Sequence, residues 1–170
     1  MLWPFFPRSR AWNLRKVVEA YDWASLGKAI VMVLGQSHGA VSIALANGFP
    51  DLMLVVQDLP KIIEDANTKA PASLSQLIFQ AHDFFEVQPI KDADLYYFRW
   101  IFHDWSDKYC VKILRALIPA LTAGACILQS ERCLEPPCTL PLHAERWNRY
   151  VSCSTAIVIS SCLCGCHQHE

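Results

Sequence analysis

The feature that most constrains the fold of this chain is an alternation of short β-rich runs with helical periodicity between residues 28 and 130. Short apolar runs predict buried strands, and apolar residues spaced three and four apart predict helices that cover a sheet. Strands that alternate with helices form right-handed βαβ units, so we expect an α/β domain with a doubly wound parallel sheet ordered 3-2-1-4-5. The predicted strands are 29–34, 52–57, 76–81, 93–100 and 125–128, and the predicted helices are 40–47, 61–67 and 108–121.

Composition and charge limit the classes of protein that the chain can be. With 170 residues, 53% hydrophobic and 18% charged, it is long enough for one globular domain and too short for two of ordinary size. The net charge of −1 gives no electrostatic reason to expect nucleic acid or an anionic membrane as a partner. The apolar run 150–164 is too short to span a bilayer, and no terminal stretch has the pattern of a targeting signal. A cytoplasmic protein is therefore expected.

Eight cysteines are present, but their placement favours reduced thiols over a disulfide scaffold. Without a secretory signal, reduced cysteine is the usual state. Several of them crowd the end of the chain, in the run Cys162-Leu163-Cys164-Gly165-Cys166-His167-Gln168-His169. Zinc sites usually space their cysteines by two or more residues and draw on two separated pairs. A functional metal site is therefore not expected.

A glycine turn follows the first predicted strand, in the run Gly35-Gln36-Ser37-His38-Gly39. Glycines let backbone amides approach a ligand closely, and the following helix presents its positive end there. Asp58 comes about twenty residues later at the end of the second strand, the spacing at which an acidic residue binds a ribose. The pattern indicates a nucleoside ligand. The alternative is that Asp58 caps the next helix.

His103 and Asp104 lie between an apolar run and a helix-start signal at Ser106. A His in this position leaves the end of the fourth strand at the mouth of the sheet, where open α/β folds bind ligands. Imidazole titrates near neutrality and is the commonest general base. The sequence therefore indicates a catalytic base at His103. A His that only caps the next helix is the alternative.

These motifs occur together in a known family. The runs Ser37-His38-Gly39, His82-Asp83-Phe84-Phe85 and Phe102-His103-Asp104-Trp105 follow one another in the order found in that family. Over residues 17–146 the chain resembles the metal-independent plant and fungal O-methyltransferases, such as those acting on caffeate and sterigmatocystin. The resemblance implies the Rossmann-like fold of class I methyltransferases, S-adenosyl-L-methionine as cofactor, and a phenolic or polyketide hydroxyl as acceptor.

The resemblance also assigns roles to individual residues. In the family the His deprotonates the acceptor hydroxyl, and a carboxylate orients it. His103 would be this base, Glu131 its carboxylate partner, and Asp104 would shape the loop or the cofactor edge. An ordinary solvated loop carboxylate is the alternative for Glu131. The positions that the resemblance implies for the cofactor are Gly35 and Gly39 beside the methionine moiety, Asp58 at the ribose, Asp83 and Phe84 at the adenine, and Arg99 as a nearby cation.

Two positions depart from the family pattern. Val33 stands where the family has an acidic residue that holds the amino group of the cofactor, and a valine side chain cannot accept a hydrogen bond. Gln36 stands where the family has a glycine, and its Cβ is expected to crowd a turn that relies on the freedom of glycine. Either departure is expected to weaken cofactor binding about tenfold or more.

Both ends of the chain depart from the strand–helix pattern. We predict a remnant segment over 1–20, a cofactor-binding domain over 21–146 and a divergent Ser/Cys-rich tail over 147–170. Such a chain, truncated at both ends, leaves the fifth strand at an exposed edge that favours association with itself or another protein. Two hypotheses follow: an O-methyltransferase in short form, or a catalytically inactive relative that partners a full-length enzyme. A Rossmann-type oxidoreductase is disfavoured because it gives no reason for His103-Asp104.

Overall fold

A parallel sheet forms the centre of the molecule, for which a computed structural model describes residues 14–71, 73–132, 155–157 and 161–162. Its parallel strands are β1 (Ile30–Leu34), β2 (Met53–Asp58), β3 (Leu77–Ala81), β4 (Leu95–Arg99) and β5 (Cys126–Arg132). They lie in the order β3-β2-β1-β4-β5, and each neighbouring pair is parallel. The doubly wound α/β fold and the strand order predicted from the sequence are therefore confirmed.

Helices cover the sheet on both faces, as strands with two buried faces require. The helices are α1 (Leu14–Glu19), α2 (Ala40–Gly48), α3 (Pro60–Lys69) and α4 (Asp107–Leu117). Alternate residues of β1 point to opposite faces: Val33 packs in one apolar cluster with Trp23 and Tyr97, and Met32 packs in a second cluster with Ile113 of α4. Because both faces are apolar, the strands appear in the sequence as continuous hydrophobic runs.

The connection between β3 and β4 contains no helix and is held by buried amides instead. Gln88, which is 3% exposed, pairs reciprocally with Gln57 of β2 through side-chain bonds of 2.7 and 3.0 Å. Its backbone amide also donates to the carbonyl oxygen of Ala116 in α4 at 3.0 Å. This anchoring fixes the loop that begins with His82 and Asp83, and so positions two predicted cofactor residues.

The fifth strand differs from its prediction in length and in its neighbours. β5 continues to Arg132 rather than ending at Leu128, because its pairing with β4 persists to the partners Arg99 and Ser130. Two further strands, β6 (Thr155–Ile157) and β7 (Ser161–Cys162), pair antiparallel with β5. The expectation that β5 is an exposed edge is therefore wrong. An edge strand offers unpaired backbone groups to a neighbouring segment. On the side of β5 away from β4, β6 and β7 of the tail pair with these groups.

Membrane-spanning helices and metal-binding groups can be assessed only within the described residues. Within the described ranges, no helix combines the length and the apolar character that crossing a bilayer requires. Nor do the His, Cys, Asp and Glu side chains of those ranges form a group of three or more that could hold a metal ion. Cys110 is a free thiol, and Cys126 is half-buried. Residues 163–169 of the cysteine-rich tail lie outside the described residues.

Candidate functional site

The predicted site residues lie at one edge of the sheet, where the parallel strands have their carboxyl ends. This edge is where open α/β sheets bind ligands. Gly35 directly follows β1, Asp58 is the last residue of β2, and Arg99 is the last residue of β4. Glu131 is the second-last residue of β5. The remaining predicted residues follow a strand end within about five residues: Gly39, Asp83, Phe84, His103 and Asp104.

The glycine turn is tightly packed at its first residue. The backbone amide of Gly35 donates to the carbonyl oxygen of Gln57 at 2.8 Å, and Gly35 has a φ of 68°. A Cβ at Gly35 would lie only 2.5 Å from Cδ1 of Ile101 and 3.3 Å from Cε1 of Phe84. Glycine is therefore needed here both for its backbone conformation and for space.

The positive φ values in this turn fall on Gly35, Ser37 and Gly39, with φ of 50° at Ser37 and 69° at Gly39. Gln36 is not among the described residues with positive φ. The turn places its left-handed residues on either side of Gln36, so Gln36 itself does not adopt the conformation that favours glycine. The expected crowding by its Cβ stays a prediction. A non-glycine residue in that region, such as Ser37, is uncommon but is seen in tight turns.

Asp58 connects the end of β2 to the glycine turn. Its Oδ2 accepts a hydrogen bond from the backbone amide of Ser37 at 2.8 Å, and its Oδ1 accepts from the amide of Leu59 at 2.8 Å. The residue at the cap position of α3 is Leu59. The alternative that Asp58 is this helix cap is therefore wrong. Asp58 instead holds the turn after β1 against the end of β2.

Asp83 and Phe84 lie on the turn after β3. The Asp83 carboxylate accepts from the backbone amide of Phe85 at 2.9 Å, which closes the turn. The Phe84 ring borders Gly35 and meets Trp105 edge-to-face, with centroids 6.1 Å apart. Trp105 was not predicted as a site residue, although its position two residues after His103 was a usable signal. Phe84 and Trp105 thus form an aromatic wall between the loop that follows β3 and the loop that follows β4.

Arg99 lies at the end of β4, on the same strand face as Tyr97. Its guanidinium lies 3.9 Å from the centre of the Trp100 ring, and burial lowers the pKa of Arg99. Burial also raises the pKa of Tyr97 to about 12, so its phenol is neutral at physiological pH. Trp100 itself has a φ of 56°. This turn of the backbone directs the following residues, up to His103, away from the strand.

His103 and Glu131 form a direct side-chain pair. Nδ1 of His103 lies 2.5 Å from Oε2 of Glu131. The other oxygen of Glu131, Oε1, accepts from the backbone amides of Ile101 and Phe102, each at 2.9 Å. Glu131 is 9% exposed, so the alternative of a solvated loop carboxylate is wrong. Because an ionised carboxylate only accepts, a neutral His103 that donates to Glu131 has its proton on Nδ1 and its lone pair on Nε2.

Asp104 lies on the other side of the imidazole, with its Oδ1 3.3 Å from Nε2 of His103. The Asp104 side chain is 69% exposed and that of His103 is 30% exposed. The residue at the cap position of α4 is Ser106, so the alternative that His103 caps this helix is wrong. A buried carboxylate, an imidazole and an exposed carboxylate therefore lie in line at the mouth of the sheet.

Comparison with known proteins matches this geometry to a family. Residues 8–153 match the model of the O-methyltransferase domain. The chain belongs to the O-methyltransferase family. A grayanic acid biosynthesis cluster O-methyltransferase of Cladonia grayi is 44% identical over 147 residues, which cover 85% of this chain and 32% of that protein. A chlorophenol O-methyltransferase of Trichoderma longibrachiatum is 40% identical over 136 residues, which cover 76% and 29%.

A solved structure supports the same assignment. Human N-acetylserotonin methyltransferase in complex with S-adenosylmethionine has a TM-score of 0.68 and 28% identity, over 81% of this chain and 39% of that one. The chain thus spans about a third of the length of the curated relatives described above. Family membership is shown, whereas the activity of the chain and the roles of its residues need their own argument.

One departure from the O-methyltransferase pattern has a clear structural setting. Val33 is fully buried in the apolar cluster that includes Trp23 and Tyr97. Its side chain offers no acceptor, and its surroundings are apolar. The valine therefore fits its place in the core, and it lacks the acidic group that the family resemblance implies at this position.

Replacing Gly35 with Ala is expected to lower the free energy of unfolding by about 2–5 kcal/mol. The left-handed conformation costs an L-residue roughly 1–2 kcal/mol, and forcing a methyl group against the buried Ile101 side chain adds about 1–3 kcal/mol. Gly124→Ala is the matched control, since Gly124 has a φ of 92° and none of the described residues comes within 4 Å of an added Cβ. Urea denaturation measures both variants. Equal losses in the two would contradict close packing at Gly35.

Proposed function

We propose that this chain is the cofactor-binding and base-bearing part of an S-adenosylmethionine-dependent O-methyltransferase. The observation that supports it most is the His103–Glu131 pair, which lies at the same edge of the sheet as the Gly35 turn. A base with a buried carboxylate partner suits the removal of a proton from a hydroxyl group. Relatives that are named O-methyltransferases support the same reaction class.

Methyl transfer to oxygen is an in-line displacement that needs an aligned acceptor and a base. When bound, S-adenosylmethionine supplies an electrophilic methyl group on a sulfonium. Nε2 of His103 takes the proton of the acceptor hydroxyl, and the charge that develops on the imidazole is stabilised by Glu131 at Nδ1. Asp104, beside Nε2, shapes the approach of the acceptor and is exposed enough to move away from it.

The residues around the Gly35 turn fit the chemistry of the cofactor at most positions. Asp58 supplies carboxylate oxygens for ribose hydroxyls at the end of β2, and Gly35 leaves no side chain between the backbone and a ligand. Phe84, with Asp83 beside it, presents an aromatic surface for adenine, with Trp105 as its neighbour. Gly39 at the start of α2 would border the methionine part, with the Arg99 cation nearby. Val33 is the position that does not fit.

The acceptor we propose is a small phenolic or polyketide-type hydroxyl compound. The relatives support this class: one is named a chlorophenol O-methyltransferase, and another belongs to a grayanic acid biosynthesis cluster. A phenol ionises near pH 10, so an imidazole near neutrality is a suitable base for it. Association with another protein, either a second copy or a longer relative, belongs to the same proposal.

The test of cofactor binding is calorimetry with S-adenosylhomocysteine on the whole chain. Asp58→Ala is expected to weaken binding about ten- to a hundredfold, since a hydrogen bond to a charged group contributes roughly 1.5–3 kcal/mol. Asp51→Ala is the matched control, because it removes the same charge from an exposed turn after α2. Circular dichroism checks that each variant is folded. Equal affinities in the two variants would contradict the proposed ribose site.

A second candidate function is a non-catalytic relative that associates with a full-length enzyme. Burial of Val33 in apolar surroundings favours it, because an acceptor for the cofactor amino group is lacking at that position. The two candidates differ in methyl transfer. Label transferred from S-adenosylmethionine to a phenol in a His103-dependent manner favours the enzyme, and cofactor binding without any such transfer favours the partner.

A further inference from the structure

Helix α4 has an outer face that no described element covers. Its inner face packs on the sheet through Ile113 and Leu117. On the outer side, Val111 and Leu114 of α4 and Ile118, the helical residue that directly follows it, are 46%, 38% and 60% exposed. Their spacing of three and four residues aligns them in one stripe along the helix. Exposed apolar side chains that occur singly need no explanation, whereas a continuous stripe marks an interaction surface.

A row of cations runs beside this stripe. Lys108, Lys112 and Arg115 are spaced by four and three residues, so they share a face of α4. Together with Tyr109 and Val111 they line a surface hollow of about 250 Å³. Among the described residues, none of these three cations forms an ion pair. The α4 outer face therefore consists of an apolar stripe and a cationic row, in a chain whose net charge is −1.

We propose that the α4 outer face binds an acidic, amphipathic helix of a partner protein. Apolar side chains of such a helix would lie on Val111, Leu114 and Ile118, and its carboxylates would meet the cationic row. Complementary charge steers association and fixes orientation, and the apolar contacts supply most of the affinity. A groove-like surface with anchors three and four residues apart is the pattern by which amphipathic helices are recognised.

The charge pattern disfavours other occupants. A second copy joined by a two-fold axis would place the same face against itself, so the cationic rows would repel each other. Binding to an anionic membrane would gain only about 1 kcal/mol per surface cation. Two acidic residues also lie close by, Asp107 at the first position of α4 and Asp104 three residues before it. An acidic partner helix can have its carboxylates opposite the cationic row and uncharged residues opposite Asp104 and Asp107.

The α4 outer face is close to the candidate site. Lys112 lies 5.0 Å from the centre of the Phe85 ring, and that ring lies 4.7 Å from the ring of Trp105. Trp105 follows His103 and Asp104 directly. A carboxylate that pairs with Lys112 would therefore lie near the Phe85 ring, which packs against Trp105 in the loop that carries His103.

The test uses the whole chain and a fluorescent Leu/Glu peptide of roughly 18 residues, long enough to form an amphipathic helix. Fluorescence anisotropy measures its binding. The expected result is that Lys112→Glu with Arg115→Glu weakens binding about tenfold or more, and that Val111→Ser with Ile118→Ser does the same. Lys28→Glu with Lys61→Glu is the matched control; it makes the same charge change at exposed positions elsewhere and should leave binding unchanged. Circular dichroism checks folding.

Three results would overturn the proposal. The first is equal binding of a scrambled peptide with the same composition, or equal weakening in the control variant. The second is flotation with phosphatidylserine vesicles that depends on Lys112 and Arg115, without peptide binding. The third is a dimer in sedimentation velocity that Val111→Ser with Ile118→Ser dissociates, again without peptide binding.

Discussion

Glu131→Gln is expected to move the proton of neutral His103 from Nδ1 to Nε2. The carbonyl oxygen of the new side chain is expected to accept from the amides of Ile101 and Phe102, because both amides donate to this position at 2.9 Å and need an acceptor there. Its NH₂ group then faces Nδ1 and cannot accept a proton from it. Nδ1 becomes an acceptor, and Asp104 at 3.3 Å accepts from Nε2.

This change matters because Nε2 is the nitrogen proposed to act as the base. With its proton on Nε2, His103 has no lone pair directed at the acceptor hydroxyl. Loss of the base is expected to cost about 10²–10⁴-fold in methyl transfer. A comparable change in the serine protease triad, in which an Asn replaces the Asp, acts through the wrong tautomer.

Long-range ¹H–¹⁵N correlation spectra of the His103 ring measure the tautomer without requiring any turnover. Asp104→Asn is the matched control: it removes the exposed carboxylate and should leave the proton on Nδ1. Retention of the Nδ1 proton in Glu131→Gln would contradict the proposed role of Glu131.

Glu131→Ala is the harsher variant at the same position. It removes the acceptor of the buried Ile101 amide and of the partly buried Phe102 amide. An unsatisfied buried donor costs about 1–3 kcal/mol. Urea denaturation is therefore expected to show a loss of roughly 2–5 kcal/mol for Glu131→Ala and a smaller loss for Glu131→Gln. This difference separates the contribution of Glu131 to the loop from its contribution to the imidazole.

The sequence predicts the central sheet well because a parallel sheet is buried on both faces. Each of β1, β2 and β4 therefore appears as an uninterrupted apolar run, and the helices between them have clear periodicity. The same reasoning misses the end of β5, where Ser130 and Glu131 are polar. Ser130 is in the strand because it pairs with Arg99 of β4, and Glu131 because it pairs with Ala156 of β6. Both partners lie more than twenty positions away in the sequence.

The site is predicted less completely than the fold. The residue pattern indicates His103, whereas Glu131 and its pairing with His103 come only from the family resemblance. The sequence does not indicate that Glu131 also binds two backbone amides. Every residue except proline has such an amide, so the residue types do not identify the partners. The position of positive φ in the glycine turn is missed for a related reason: Ser37 adopts it, although Gln36 is the residue that replaces a glycine.

The 170-residue chain alone is expected to turn over at least about a thousandfold more slowly than the ~10 s⁻¹ that is typical of enzymes. A general base accounts for only about 10²–10⁴-fold of the acceleration. Most of the remainder must come from holding the acceptor in line with the methyl group and from excluding water. The side chains of His103 and Asp104 are 30% and 69% exposed, and Trp105 is 37% exposed.

The acceptor side of the candidate site is therefore open to water in the described part of the chain. The assay uses labelled S-adenosylmethionine with a panel of phenolic acceptors, and His103→Ala gives the background transfer. Calorimetry with S-adenosylhomocysteine runs in parallel, so that missing turnover is not mistaken for missing cofactor. Turnover near one per second that His103→Ala abolishes would contradict the prediction, because it would mean that these exposed residues position the acceptor unaided.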